Sequence, residues 1–212
     1  MVMRVRGLSR LGGVAGIAAG LSWLYLALRE VRGAGVGDAI PWPSNTQYLF
    51  WVPALLVAAT LLSMSPSLGT IQRLALRVAA IGALLQAAGL VTMGCAPTIR
   101  DALGRVALDC GPVGAVVSTL GVSVLHGALL VAGLSSDHGA WSLSRARVVL
   151  LGLAVVGIAT LPAGYLGSYL GLAVAHGIGF GCQLLRGAGW LLLGVMLVRR
   201  SALSKAPGWV RP

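Results

Sequence analysis

Long apolar stretches alternate with short polar connections along the whole chain. A bilayer core about 30 Å thick requires a helix of about 20 mostly apolar residues. Six stretches meet this requirement, at about residues 11–28, 47–64, 74–94, 112–134, 148–166 and 172–198. The connections hold nearly all of the charge, and none is long enough for a soluble domain. The pattern predicts an all-α fold, a six-helix transmembrane bundle formed by residues 1–212 as a single domain.

Composition supports a membrane environment. The chain has 57% hydrophobic and 10% charged residues, whereas a typical soluble domain has about 25% charged residues. Its 31 glycines are typical of membrane helices that pack closely. The net charge of +11 arises from arginines in the connections, not from a basic soluble module, and we expect no nucleic-acid partner.

The distribution of positive charge predicts the orientation in the membrane. With the N-terminus inside, the inner side holds Arg4, Arg6, Arg10, Arg73, Arg77, Arg145, Arg147, Arg199, Arg200, Lys205 and Arg211. The outer side holds Arg29, Arg32, Arg100 and Arg105. Aromatic side chains, among them Trp23 and Tyr25, cluster toward the outer ends. We therefore expect a multi-pass protein of the cell (inner) membrane with both termini cytoplasmic.

A glycine motif marks the first stretch. Gly12, Gly16 and Gly20 recur every four residues, so they share one helix face and permit another backbone to approach closely. Packing against another span of the same chain is the favoured interpretation, and docking of a partner subunit is the alternative.

One residue is unusual for a membrane span. Arg186 lies 14 residues after Leu172 and 13 residues before Arg199, near mid-membrane, where an arginine costs about 2.5–3.5 kcal/mol to insert. None of the six predicted spans contains Asp or Glu. Three interpretations stay open: a cap on backbone carbonyls, a site for an anionic or carbonyl-bearing ligand, and a contact with an acidic residue of another protein.

Neutral polar residues are the candidate partners of Arg186 within the chain. His176 and Gln183 share a helical arc of about 100° with it. His126 has the same residue count from the outer surface, and Gln86 lies on another span. These residues predict a polar stripe that faces the bundle interior.

No feature of the sequence indicates a nucleophile, an acid–base pair or a metal-ligand cluster, so we assign no catalytic or metal-binding residues. The preferred function is a non-catalytic subunit or accessory protein of a larger membrane complex. A small transporter or substrate-binding membrane component that uses the polar stripe is the alternative. A lipid- or quinone-handling enzyme ranks third. No cofactor is expected, and a bound lipid or quinone stays open, as do partners among other membrane subunits.

Two cysteines flank the third connection. Cys95 and Cys110 both fall on the outer side of the predicted topology, where oxidising conditions permit a disulfide. We predict that they are bonded, which closes a 16-residue loop and contributes about 3 kcal/mol to the free energy of unfolding. Alkylation without reductant followed by mass spectrometry should leave both cysteines unlabelled. Two freely alkylated thiols would contradict the prediction.

Overall fold

The computed structural model describes residues 2–33, 47–64, 69–103, 110–135, 144–170 and 172–203. Side chains are described for residues 10–28, 49–64, 69–94, 111–135, 146–160 and 178–199. The described chain is helical, with α1 (Val2–Gly33), α2 (Trp51–Met64), α3 (Thr70–Leu103), α4 (Cys110–Leu134), α5 (Ser144–Leu170) and α6 (Leu172–Leu203). A 3₁₀ turn, Gln47–Phe50, precedes α2.

The helices are mostly longer than the apolar stretches from which they were predicted. The first stretch, 11–28, lies within a helix of 32 residues, and the third, 74–94, lies within one of 34 residues. The second stretch differs in kind, because its first four residues form the 3₁₀ turn and only 14 residues form α2. Hydropathy reports where a helix is apolar and not where its hydrogen bonds end, which explains the underestimated lengths.

The six helices form a closed ring in chain order. Each helix packs against its neighbours in sequence, and α6 returns to pack against α1. The closest packing is between α3 and α4 and between α1 and α6. This arrangement lets side chains from helices that are not neighbours meet in the middle.

The outer surface of the ring is apolar. Every helix exposes large hydrophobic side chains, examples being Leu11, Leu62, Ile81, Val116, Val155 and Leu185. Within the described residues, four helices are long and apolar enough to cross a membrane: Arg10–Leu28, Thr70–Gly94, Gly111–Leu134 and Ile178–Arg199. An apolar belt on all sides of a helical bundle is a feature of integral membrane proteins.

Glycine brings α1 and α6 into backbone contact. A Cβ atom added to Gly20 would lie 2.7 Å from the carbonyl oxygen of Gly187, and one added to Gly194 would lie 2.7 Å from that of Gly13. Real Cβ atoms do not approach so closely. Gly16 faces Gly194, whereas Gly12 faces Ser63 of α2. The glycine motif of the first span thus contacts two helices of its own chain.

The contact between α3 and α4 follows the same principle. Gly82 and Gly89 of α3 would place a Cβ atom 2.8 Å from the carbonyl oxygen of Gly121 and 2.6 Å from that of Gly114. As residue numbers rise along one helix they fall along the other, so this pair is antiparallel, as is the α1–α6 pair. Close backbone approach adds dispersion contacts where lipid offers no hydrophobic driving force.

Polar side chains satisfy the end of α4. The Arg147 guanidinium on α5 donates from Nε to the Gly133 carbonyl and from Nη2 to the Leu134 carbonyl at 3.0 Å. Gln72 Nε2 on α3 donates to the Ser135 carbonyl at 3.3 Å. The last carbonyls of a helix lack intrahelical partners, and these two side chains supply them while tying α4 to both neighbours.

We predict that Gly194→Ala destabilises the bundle by about 1–3 kcal/mol, because the added methyl group must force the α1 and α6 backbones apart. Gly127→Ala is the matched control, since nothing lies within 4 Å of a Cβ atom there. Thermal unfolding in mild detergent should show a lowered melting temperature for the first variant only. Equal melting temperatures for the two variants would refute the role assigned to this contact.

Candidate functional site: a buried arginine between four helices

Arg186 of α6 points into the middle of the ring. Its side chain is 3% exposed, and four helices supply the side chains within reach. The neighbouring residues of α6 let it point inward, since Gly187 and Gly189 leave space for Leu24 and Leu153 of adjacent helices. The guanidinium therefore lies inside its own chain and away from the apolar outer surface.

His126 of α4 is the first partner. Arg186 Nη2 donates to His126 Nε2 at 3.2 Å, and His126 Nδ1 donates to the Val122 carbonyl at 2.7 Å. A carbonyl can only accept, so Nδ1 carries the ring hydrogen and Nε2 presents its lone pair. The pairing with Arg186 thus requires the neutral imidazole, which is fully buried.

Gly157 of α5 makes room for this imidazole. A Cβ atom at position 157 would overlap the ring of His126. Three residues later, Thr160 Oγ1 donates to the Gly157 carbonyl at 2.6 Å and accepts from Arg186 Nη2 at 3.4 Å. His126 of α4 and Thr160 of α5 are thus the described acceptors for Arg186 Nη2.

Trp23 of α1 covers the guanidinium. Arg186 Cζ lies 5.0 Å from the centroid of the Trp23 ring, which is 1% exposed. Trp23 Nε1 donates to Gln183 Oε1 of α6, and its ring packs at 5.7 Å from that of Phe50. A desolvated cation over a tryptophan face gains about 2 kcal/mol, so Trp23 stabilises the charge while Gln183 fixes the ring.

Two hydrogen-bond donors in this region have no partner among the described residues. Arg186 Nε and Trp190 Nε1 are both buried and unbonded. Trp190 lies four residues after Arg186, so both side chains project from the same face of α6. Buried donors are nearly always paired in proteins, and these two nitrogens have no described acceptor.

The charge of Arg186 has only neutral partners in the described part of the site. Its contacts are an imidazole, a hydroxyl and an indole ring. Dipoles of this kind lower the cost of burying a cation, yet they leave its unit charge in place. In the described ranges no group of three metal-ligating residues occurs.

The structure brings together some of the residues expected at the site. His126 and Gln183 lie around Arg186, as described above. Gln86 is buried at the α3–α4 contact, against Gly121, and no described hydrogen bond joins it to Arg186. The side chains of His176, Cys95 and Cys110 lie outside the described residues, and no disulfide is present among the described side chains, where Cys182 is free.

Two interpretations of the sequence change with the geometry. Trp23 was expected toward the outer end of its span, and its side chain faces the bundle interior, where Gln183 accepts from its indole nitrogen and Arg186 lies against its ring. The carbonyl-cap interpretation of Arg186 also changes, since its described hydrogen bonds go to side chains. The backbone carbonyls of Val122 and Gly157 accept hydrogen bonds from His126 and Thr160, so they are linked to Arg186 only through these two side chains.

Sequence analysis missed Thr160, Trp23 and Trp190 as neighbours of Arg186. A residue count from Arg10, Arg147 and Arg199, which the sequence predicts on one side of the membrane, identifies two of them. Trp23 is 13 residues from Arg10, Thr160 is 13 from Arg147, and Arg186 is 13 from Arg199. Helices that run side by side place such residues at one level. Trp190 carries no comparable signal, because its importance comes from an unpaired nitrogen.

No protein-family model, curated protein or solved structure matches this chain.

Proposed function

We propose that this helical, integral membrane protein binds a small oxyanion inside its helix bundle, with Arg186 as the anchor, as a small transporter or substrate-binding membrane component does. The observation that carries the proposal is a permanently charged guanidinium, almost fully buried, surrounded by neutral partners and with its Nε unpaired. Intramembrane ionisable residues of this kind mark ligand or ion pathways more often than structural contacts.

The energetics favour a binding role over a packing role. Hydrogen bonds to a charged group stabilise by about 1.5–3 kcal/mol each, so His126 and Thr160 together can offset an insertion cost of about 2.5–3.5 kcal/mol. A leucine in the same place would need no such partners, and buried charges replaced by apolar residues are often neutral or stabilising. The arginine and its polar partners therefore serve something other than stability.

The geometry suits a small planar oxyanion, of the class to which nitrate, formate and bicarbonate belong. Guanidinium matches such anions with two parallel hydrogen bonds. Arg186 Nε and Trp190 Nε1 supply free donors on one face of α6. An ion pair at about 4 Å gains about 4 kcal/mol at an effective dielectric constant of 20, against about 1 kcal/mol in water. Trp23 and His126 pack close on the guanidinium, which favours a ligand of few atoms.

The role of accessory subunit, which the sequence favoured, loses much of its support. One feature in its favour was the glycine face of α1, and that face contacts α2 and α6. Another was an arginine without a counter-ion, and Arg186 points into its own bundle. A stably co-purifying membrane protein remains the observation that would restore this role.

We further propose that all six helices cross the cell membrane, with both termini in the cytoplasm. The 3₁₀ turn and α2 together reach about 29 Å at their respective rises per residue, close to the thickness of a bilayer core. Helix α5 has 27 residues, about 40 Å. The ring also holds α2 and α5 between helices that are long and apolar enough to cross a membrane, since α2 packs against α1 and α3, and α5 packs against α4 and α6.

The central prediction concerns Arg186. Nitrate at a hundred times its Kd should stabilise the purified protein by about 2.7 kcal/mol. Arg186→Leu and Arg186→Lys should both abolish this effect, the first because the charge is lost and the second because the bidentate fork is lost. Thermal unfolding in mild detergent, with and without sodium nitrate, sodium formate and sodium bicarbonate, measures the effect.

Arg199→Leu is the control for this experiment, because it removes an exposed arginine from the same helix. It should keep the full stabilisation by nitrate. If the melting temperature of the parent protein responds to none of the three anions, the proposal is contradicted. A membrane protein that co-purifies stably in the same preparation would favour the subunit role.

The topology makes a separate prediction. Reporter fusions after residue 212 should be active only with a cytoplasmic reporter. The reason is that the side of the membrane with the excess of arginines, which also holds both termini, is predicted to be cytoplasmic. Fusions in the connection between α3 and α4 should be active only with a periplasmic reporter. A periplasmic C-terminus would reverse the orientation and also place Cys95 and Cys110 on the reducing side.

A further inference from the structure

We infer that a proton enters the site together with the anion and is held on His126 Nε2. The inference rests on the proposed oxyanion site and concerns the coupling of that site to protons. It starts from the direct pairing of Arg186 Nη2 with a ring nitrogen at 3.2 Å.

In the anion-free protein, Arg186 keeps the imidazole neutral. The Val122 carbonyl fixes the hydrogen on Nδ1, so any added proton must go to Nε2. That nitrogen already accepts from a cationic donor, and a proton there would set two N–H groups of like charge against each other. In a fully buried position water cannot screen this repulsion.

A bound oxyanion reverses the situation. It takes over the hydrogen bonds of the guanidinium and brings a negative charge next to Nε2. The ring can then accept a proton and donate it to an anion oxygen as a hydrogen bond, with its Nδ1–H still on Val122. One anion and one proton enter together, so the net charge of the site is the same before and after binding. This matters in a membrane interior, where each uncompensated charge is expensive.

The surrounding helices offer few other groups that could take up this proton. The remaining charged or titratable side chains described on α1, α3, α5 and α6 are Arg10, Tyr25, Arg73, Arg77, Arg147, Cys182 and Arg199. Five of them are exposed, the exceptions being Arg73 and Cys182. Arg73 lies in the first turn of α3, near the level of the α4 end that Gln72 contacts. Cys182 lies one turn from Arg186 and serves as the control below.

Coupling of this kind is reciprocal. If the anion promotes proton binding at His126, then protons must promote anion binding by the same factor. The affinity for an anion that does not itself titrate should therefore fall as the pH rises, by up to tenfold per pH unit where His126 is neutral in the free site and protonated in the bound site.

The test uses nitrate, because nitrate stays ionised throughout the accessible pH range and any proton taken up belongs to the protein. Proton uptake is measured with a pH-sensitive dye in weakly buffered detergent solution as nitrate is added to the full chain. The Kd for nitrate is measured in parallel from thermal shifts between about pH 5 and pH 9, the range around histidine titration. We expect about one proton per bound nitrate and a Kd that rises up to tenfold per pH unit.

Two variants locate the proton. His126→Gln keeps a polar side chain that can pair with Arg186 but cannot titrate, so it should bind nitrate without proton uptake and with a Kd independent of pH. Cys182→Ser should behave like the parent. If His126→Gln does not fold, the proton stoichiometry of the parent and of Cys182→Ser still decides whether one proton accompanies each anion.

The possible failures are distinguishable. Nitrate that binds to the parent with no proton uptake and a constant Kd overturns the coupling and leaves the oxyanion site standing. Uptake that persists in His126→Gln or vanishes in Cys182→Ser overturns the assignment to His126. A parent protein that binds none of the oxyanions overturns both the site and its coupling.

Discussion

The burial of one positive charge constrains the centre of the whole bundle. Arg186 is almost fully buried in a bundle whose outer surface is apolar, so other helices must bring polar or aromatic groups to it. His126 comes from α4, Thr160 from α5 and Trp23 from α1. Helix α5 packs directly against α6 and α4 packs against α5, whereas Trp23 reaches the guanidinium because the ring closes between α1 and α6. The charge thus depends on the tertiary fold, and no single hairpin of the chain contains its complete surroundings.

Glycine is what makes the ring tight enough. At the α1–α6 contact, Gly20 and Gly194 let the two backbones touch, which draws Trp23 over the guanidinium on the neighbouring helix. The α3–α4 contact uses the same device on the opposite part of the ring and sets the position of the helix that carries His126. In a membrane this packing has to replace the hydrophobic effect, which does not distinguish a leucine from a lipid tail.

Much of the architecture could be read from the sequence, and less of the site. Apolar length predicted the helices and glycine spacing predicted a close-packing face on α1, because both properties act locally along the chain. Arg186, His126 and Gln183 stood out because polar residues are rare in membrane spans. Thr160 and Trp23 did not, since threonine and tryptophan are common there and only their depth links them to Arg186. Trp190 could not be found at all, because an unpaired nitrogen exists only once its neighbours are placed.

Gly157 ties two positions of the chain together. The space beside its Cα atom is filled by the ring of His126, so the smallest residue on α5 and a large one on α4 form a single complementary pair. Any natural sequence of this fold that carries a side chain at position 157 must have lost or moved the imidazole, and one that has lost the imidazole is free to enlarge position 157. Positions 126 and 157 should therefore vary together among sequences of this fold, with glycine at 157 wherever histidine is kept at 126.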